Sequence, residues 1–293
     1  MYRLLQRDLR RDWRLLTSPF RVLPDFIIPG ETKCGTTSFY HCLTQHPDVY
    51  AADVKEPRNF IDHPQSYLFC RCHYPLVSTK IYHKTFRSKR FLTGEASAEY
   101  LSQFNVPKNI SSLLPHVKLI VLMRNPVFRA YSDYQMFRNA GTVSESFDQI
   151  VTQNIAWLSD PRLKPLIHAA SQVVHNPIRY VMKGLYARNI KHWLRFFPKD
   201  QFMFIKSEDF FRDPQRILDE VFDFLGLRGF RYERFPKKRV GQYNAPMAEE
   251  TMQRLLEFYR PHNEELYELL DKDFEWEKET LQYLHVHAES PKE

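Results

Sequence analysis

The segment Gly30-Glu31-Thr32-Lys33-Cys34-Gly35-Thr36-Thr37 has two glycines at the separation of a nucleotide phosphate loop. Thr36 stands where such a loop ordinarily carries its lysine, and the lysine lies inside, at Lys33. Placed between a strand and a helix, this loop aims backbone N–H groups, the helix N-terminus and the Thr36 and Thr37 hydroxyls at a bound phosphate or sulfate. Nucleoside triphosphate chemistry would also need an acidic residue at another strand end to hold Mg²⁺. The clearest later strand, Lys118–Met123, ends instead in Arg124. The residue types therefore fit an anionic donor handled without a metal better than a small-molecule kinase.

These residues need elements to hold them. Phe26-Ile27-Ile28 reads as a short buried strand, and a helix from about Thr36 to Gln45 follows the loop. The same unit recurs at Lys118–Met123, where Arg124-Asn125-Pro126 opens a helix with proline in its first turn. A short strand near Arg90 to Thr93 and a helix near Val106 to Leu114 lie between the two units. Helices are expected around Phe147 to Leu158, Val181 to Phe197 and Pro214 to Leu225, with a strand at Gln201 to Ile205. Met247 to Leu270 reads as a helical region interrupted at Pro261. The alternation predicts an α/β fold: a single P-loop-like domain over 21–293, with a mostly parallel central sheet flanked by helices on both faces. Ahead of it, residues 1–20 form an amphipathic helix in which Leu4, Leu5, Leu9, Trp13 and Leu16 recur among arginines. Packing back on the domain with the basic face solvated is the commoner fate of such a helix; contact with an anionic membrane surface is the other.

The bulk properties narrow the class. The chain has 293 residues, 43% hydrophobic and 15% aromatic, enough for one large core. Its formal charge of +7 favours anionic partners without choosing among them. The basic residues are distributed and not interleaved with aromatics beyond composition, which argues against nucleic acid. No apolar run of about 18 residues and no signal-peptide centre is found, so the expectation is a cytoplasmic protein without a transmembrane segment. Four cysteines in such a chain read as reduced thiols. Cys70-Arg71-Cys72-His73 matches no familiar zinc spacing, and no metal site is expected.

From Pro24 to about Trp276 the sequence resembles the carbohydrate sulfotransferases that use 3′-phosphoadenosine-5′-phosphosulfate (PAPS), the heparan and chondroitin type with their bacterial relatives. PDFIIPGETKCGTTSFYHCLTQHPDV, residues 24–49, resembles that family's 5′-phosphosulfate loop, and VLMRNPVFRAYSDY, residues 121–134, its 3′-phosphate element. KEPRNF at 55–60 and GEASAEYL at 94–101 are similar to acceptor-side segments, and GLYARNIKHWLRFFP at 184–198 to its second half. KCGTT, KEP and GEAS together most resemble the N-acetylgalactosamine 4-sulfate 6-O-sulfotransferase branch.

The resemblance implies PAPS as co-substrate, 3′-phosphoadenosine 5′-phosphate as product, no required metal, and a carbohydrate, glycolipid or small hydroxylated acceptor. Lys33 would stabilise the departing phosphate oxygen, while Cys34, Gly35, Thr36 and Thr37 bind the donor. Arg124 and Ser132 would cage the 3′-phosphate. Glu56 is implied as the general base that takes the acceptor proton, with Glu95 as a second carboxylate. Many members of the family it resembles carry histidine at the position of Arg58, and heparan 3-O enzymes a lysine at that of Ala96. Tyr186 resembles a residue near the nucleotide, and Lys238 and Arg239 a late basic loop over it. Arg129 and Asp133, four apart on one helix, read as a structural ion pair, and His46 as a helix C-cap. A kinase, or a non-catalytic binder of nucleotides or sulfated glycans, are the alternatives.

Overall fold

Five short runs become strands: β1 Phe26–Ile28, β2 Val49–Ala51, β3 Leu92–Ala96, β4 Lys118–Met123 and β5 Phe202–Lys206. The structure, a computed structural model, describes residues 9, 12–62, 66–87, 90–166, 179–235 and 246–288. The sheet runs in the order β2-β3-β1-β4-β5. β1 pairs in parallel with β3, Phe26 opposite Gly94 and Ile28 opposite Ala96, and in parallel with β4, Phe26 opposite Lys118. β2 pairs in parallel with β3. All of β1 and all but the first residue of β4 are buried, which is why both read as unbroken apolar runs rather than alternating ones.

Parallel neighbours need crossovers, and helices supply them. Thr36–Leu43 joins β1 to β2; Asn59–Asp62, Tyr67–Cys72 and Val77–Tyr82 lie between β2 and β3; Val106–Leu113 joins β3 to β4. With β1 to β4 all parallel, the turns beginning at Pro29, Ala52, Ser97 and Arg124 leave the carboxyl ends of the strands, the usual place for a ligand in such a sheet.

The expected elements are found with shifts of a few residues, and three differ in kind. β2 went unread because it is three residues long and its burial fades to an exposed Ala51. The helix expected over 181–197 is two, Arg179–Met182 and Tyr186–Trp193, parted at Gly184, where a Cβ would lie 2.7 Å from the Tyr259 hydroxyl. Glu249–Leu270 runs through Pro261 without a break. The buried face of Leu255, Tyr259, Asn263, Leu266 and Leu270 holds it together against the lost hydrogen bond.

By packing, the described residues fall into two compact units. One draws on Met1–Glu31, Gly35–Leu122 and Leu194–Lys238, the other on Thr32–Cys34, Met123–Trp193 and Arg239–Glu293. The first holds the sheet around Phe26, Ile28, Phe39, Leu119, Val121 and Ile205. The second has its own core of Ala130, Val151, Val181, Leu255 and Tyr259. The N-terminal segment departs from the commoner expectation: Leu9, Trp13 and Leu16 point to solvent while Arg14 is held against the protein.

Candidate active site

The phosphate loop is shaped by two left-handed residues. Lys33 has φ 69° and Gly35 φ 80°. For Lys33 that conformation costs roughly 1–2 kcal/mol, and backbone held this way clusters at ligand clamps. Alternation of this kind turns successive N–H groups toward one concave side, a nest for an anion. At Gly35 a Cβ would also meet the Phe211 ring at 2.8 Å, so both φ and packing require glycine. The helix Thr36–Leu43 begins on Gly35, leaving its first N–H groups uncapped by any side chain. Thr36 is buried and Thr37 exposed. At the loop base, Glu99 donates its backbone N–H to the Gly30 carbonyl at 3.0 Å.

In the second unit the loop tip meets the element after β4. Arg124 Nη1 donates to the Lys33 carbonyl at 3.3 Å. The Tyr186 hydroxyl donates to the Arg124 carbonyl at 2.9 Å and lies 3.5 Å from Cys34 Sγ. Tyr186 is fully buried, so it holds Arg124 and the loop in place from behind; burial, then its neighbour Cys34, push its pKa well above the usual phenol range. Thr32 Oγ1 donates to Asp133 Oδ2 at 3.2 Å, and the same oxygen accepts from Arg129 Nη1 at 3.3 Å. Burial opposes the Arg129 charge, but the Asp133 carboxylate more than offsets this and keeps it protonated. The sequence reading of this pair as structural fits its complete burial. Ser132 is buried on the helix Pro126–Asn139, whose start is capped by the Asn125 side chain accepting from Val127 N.

The carboxylates gather in the first unit. Glu56 has φ 61° and Arg58 φ 55°, two strained residues flanking Pro57. Lys55 Nζ bonds the Glu56 carboxylate, which remains partly exposed. Arg58 ion-pairs with Glu99 at 3.1 Å and Asp62 at 3.6 Å. Glu99 thereby joins the 55–60 segment to the base of the phosphate loop. Glu95, at the end of β3, is wholly buried; Ser97 Oγ donates to it at 2.5 Å and Tyr100 Oη at 3.3 Å. Burial raises its pKa to about 7, the two hydroxyls oppose the rise, and nearby Glu56 adds to it.

Several supports were not read from the sequence. Tyr40 donates to the Gly94 carbonyl and accepts from Ala52 N, both at 2.8 Å, tying the first helix to β3 and to the start of the Glu56 loop. Tyr100 accepts from Phe60 N while donating to Glu95. A tyrosine in an apolar stretch gives no local signal of such roles. His46 is buried, its Nδ1 accepting from Asp48 N and its Nε2 meeting the Arg228 carbonyl, a structural position. The four cysteines are buried, with Cys70 and Cys72 on the helix Tyr67–Cys72. Lys238 and Arg239 lie outside the described residues, as does most of the Asp160 to Asn176 segment. A cavity of about 430 Å³ at the amino ends of β1 and β4, lined by Asp25, Arg90 and Lys118 among others, contains none of the predicted residues.

Strand-end loops of this kind define an α/β transferase that grips an anionic donor. The chain belongs to the sulfotransferase domain family, whose model matches residues 23–234, and is an enzyme of sulfuryl transfer. It is 29% identical over 295 residues to heparan sulfate glucosamine 3-O-sulfotransferase 3A1 of Mus musculus, covering 90% of this chain and 67% of that protein. With carbohydrate sulfotransferase 15 of Rattus norvegicus it shares 28% over 309 residues, 87% of this chain and 55% of the relative. The chain thus spans about two thirds of the first relative and about half of the second. A crystal structure of a sulfotransferase from Alicyclobacillus acidocaldarius superposes with a TM-score of 0.64 at 24% identity, covering 88% of this chain and 99% of that one, a likeness of fold.

Proposed function

We propose that this enzyme moves the sulfuryl group of PAPS to a hydroxyl or amino group of a carbohydrate acceptor by in-line displacement. The observation that carries the reading is the bond from Arg124 to the Lys33 carbonyl, with Tyr186 joining Arg124 to Cys34. It puts the basic residue after β4 against the tip of the phosphate loop, which supports one nucleotide being held by both. The residues also suit that donor chemically: a nest of N–H groups with one lysine for the phosphosulfate, and an arginine with a helix-borne serine, Ser132, for the second phosphate.

In this reading Lys33 neutralises charge growing on the bridging oxygen as the S–O bond breaks. Glu56 accepts the acceptor's proton as the new bond to sulfur forms. Its partly exposed carboxylate can reach an entering acceptor, whereas both oxygens of Glu95 are buried and engaged by Ser97 and Tyr100. Glu95 is a buried support at the end of β3, held by those two hydroxyls. A carbohydrate acceptor is supported by the heparan sulfate named for the relatives. No helix among the described residues is long and apolar enough to cross a membrane, and we take the enzyme as cytoplasmic rather than Golgi-lumenal.

The test is incubation with labelled PAPS and a panel of desulfated glycans and small alcohols. Label is expected on a glycan, and Glu56→Gln is expected to abolish transfer while still binding 3′-phosphoadenosine 5′-phosphate. Turnover of ATP with Mg²⁺ and none of PAPS would overturn the reading in favour of a kinase; full activity in Glu56→Gln would remove that residue's role.

A further inference from the structure

Three residues with side chains take the left-handed backbone on two segments that touch: Glu56 at φ 61°, Arg58 at φ 55° and Glu99 at φ 84°. Glycine is the residue that adopts this backbone without strain, and other residues keep it only where their surroundings over-determine it. At Glu99 the side chain that makes the conformation costly is put to use. Its backbone N–H donates to the carbonyl of Gly30, the first glycine of the phosphate loop, at 3.0 Å, while its carboxylate accepts from Arg58 Nη1 at 3.1 Å. One residue thus holds the loop base with its main chain and the 55–60 segment with its side chain.

The stretch that carries Glu56 is anchored on either side. Ahead of it, Ala52 N donates to the Tyr40 hydroxyl and Asp53 N to the His73 carbonyl, both at 2.8 Å. Beyond it, Phe60 N donates to the Tyr100 hydroxyl at 3.3 Å, and Asn109 Nδ2 donates to the Phe60 carbonyl at 3.0 Å. Arg58 stands nearer to Glu56 along the chain than any of these anchored residues. Its two carboxylate partners differ in kind. Asp62, at 3.6 Å, lies on the short helix Asn59–Asp62 that Arg58 itself leads into, so it travels with the segment. Glu99 follows β3, so the pair with Glu99 ties the segment to the sheet. The Glu99 side chain is 13% exposed against 49% for Asp62, and solvent screens the Glu99 pair less.

We infer that Glu99 is a positioning residue for sulfuryl transfer: by holding Arg58 it fixes the left-handed backbone on both sides of Pro57, and with it the placement of the Glu56 carboxylate. Glu99 acts through Arg58 and not on the reacting atoms. The inference rests on the reading of Glu56 as the group that takes the acceptor's proton. A base displaced by a fraction of its hydrogen-bond length transfers that proton slowly even when the donor is bound normally.

Glu99→Gln keeps the side chain's size and the backbone N–H on Gly30 but removes the charge facing Arg58. In the full chain, with labelled PAPS and the desulfated glycan that the wild type labels best, kcat is expected to fall ~10-fold or more. KM for PAPS and equilibrium binding of 3′-phosphoadenosine 5′-phosphate are expected to stay within ~2-fold of the wild type. Amide exchange in a peptide covering residues 54–59 should quicken ~10-fold or more, with thermal unfolding and exchange in β1 and β4 unchanged. Arg58→Gln breaks the same contact from its more exposed side and should reproduce both effects, so the test does not hang on one variant folding. The double variant should be no slower than the slower single one, because both changes remove one interaction. Wild-type kcat in Glu99→Gln alongside an inactive Glu56→Gln overturns this inference and leaves the role of Glu56 standing; a loss confined to KM, or losses that add in the double variant, do the same. Full activity in Glu56→Gln, or a wild type that labels no acceptor from PAPS, overturns the reading of the site and this inference with it.

Discussion

Glu95→Gln removes a carboxyl whose proton the fold controls. Glu95 is wholly buried, and its pKa rises from 4.5 to about 7, chiefly through burial, with Glu56 adding to the rise. A raised folded-state pKa means that the native protein holds the proton more tightly than the unfolded chain does. The associated stability is complete below pH 4.5 and is lost as pH climbs through 7. A rise of about 2.5 units corresponds to roughly 3 kcal/mol between those limits. With a urea slope of about 3 kcal/mol per molar, the wild-type midpoint should fall by ~1 M more between pH 5 and pH 8 than that of Glu95→Gln. Glutamine keeps the shape and an oxygen that can accept from Ser97, so the variant should fold. The difference between the two proteins also removes the contributions of histidines and other groups that titrate alike in both. Parallel pH dependences of the two midpoints would refute the reasoning, because they would mean that Glu95 titrates alike in the folded and unfolded chains.

Lys33→Ala should leave circular dichroism and unfolding unchanged and lower kcat by ~10²–10³, as expected for loss of a charge that meets the transition state; a change confined to KM would make Lys33 a binding residue only. Arg124→Ala should weaken donor binding by about 2 kcal/mol, the worth of a charge-assisted contact, and reduce discrimination between PAPS and adenylyl sulfate, measured by competitive titration. Asp133→Asn leaves the Arg129 charge buried without its carboxylate and should destabilise the fold by ~3–5 kcal/mol, read from urea unfolding; a near-neutral change would show that other groups satisfy Arg129. Incubation with a strong chelator should leave PAPS turnover unchanged, and loss restored by Mg²⁺ would contradict the metal-free reading.

The phosphate-loop half of the candidate site was legible because its residues lie together along the chain. Gly30 to Thr37 form one loop, and Arg124 to Ser132 form one strand end and helix, so local sequence carries both shape and charge. The acceptor side was legible only in outline. Glu56 stands in a six-residue segment with no periodicity, and its strained φ of 61° leaves no compositional mark. Glu99 was not singled out, because its importance lies in pairing with Arg58, 41 positions away, and in holding Gly30. Tyr40 and Tyr100 were not singled out, and only their hydroxyl partners reveal that they tie strand ends to neighbouring elements.

By itself the sequence determined which segments are strands buried on both faces and where the loop turns into a helix, and it pointed to that turn as the place for an anion. Burial periodicity and glycine placement act over a few residues, and a linear reading captures them. Tertiary structure alone decided which carboxylate is buried with a raised pKa, which arginine is spent on an ion pair, and which face of the first helix looks outward. Those outcomes depend on desolvation and on partners tens of residues distant, quantities that no local pattern of residue types contains.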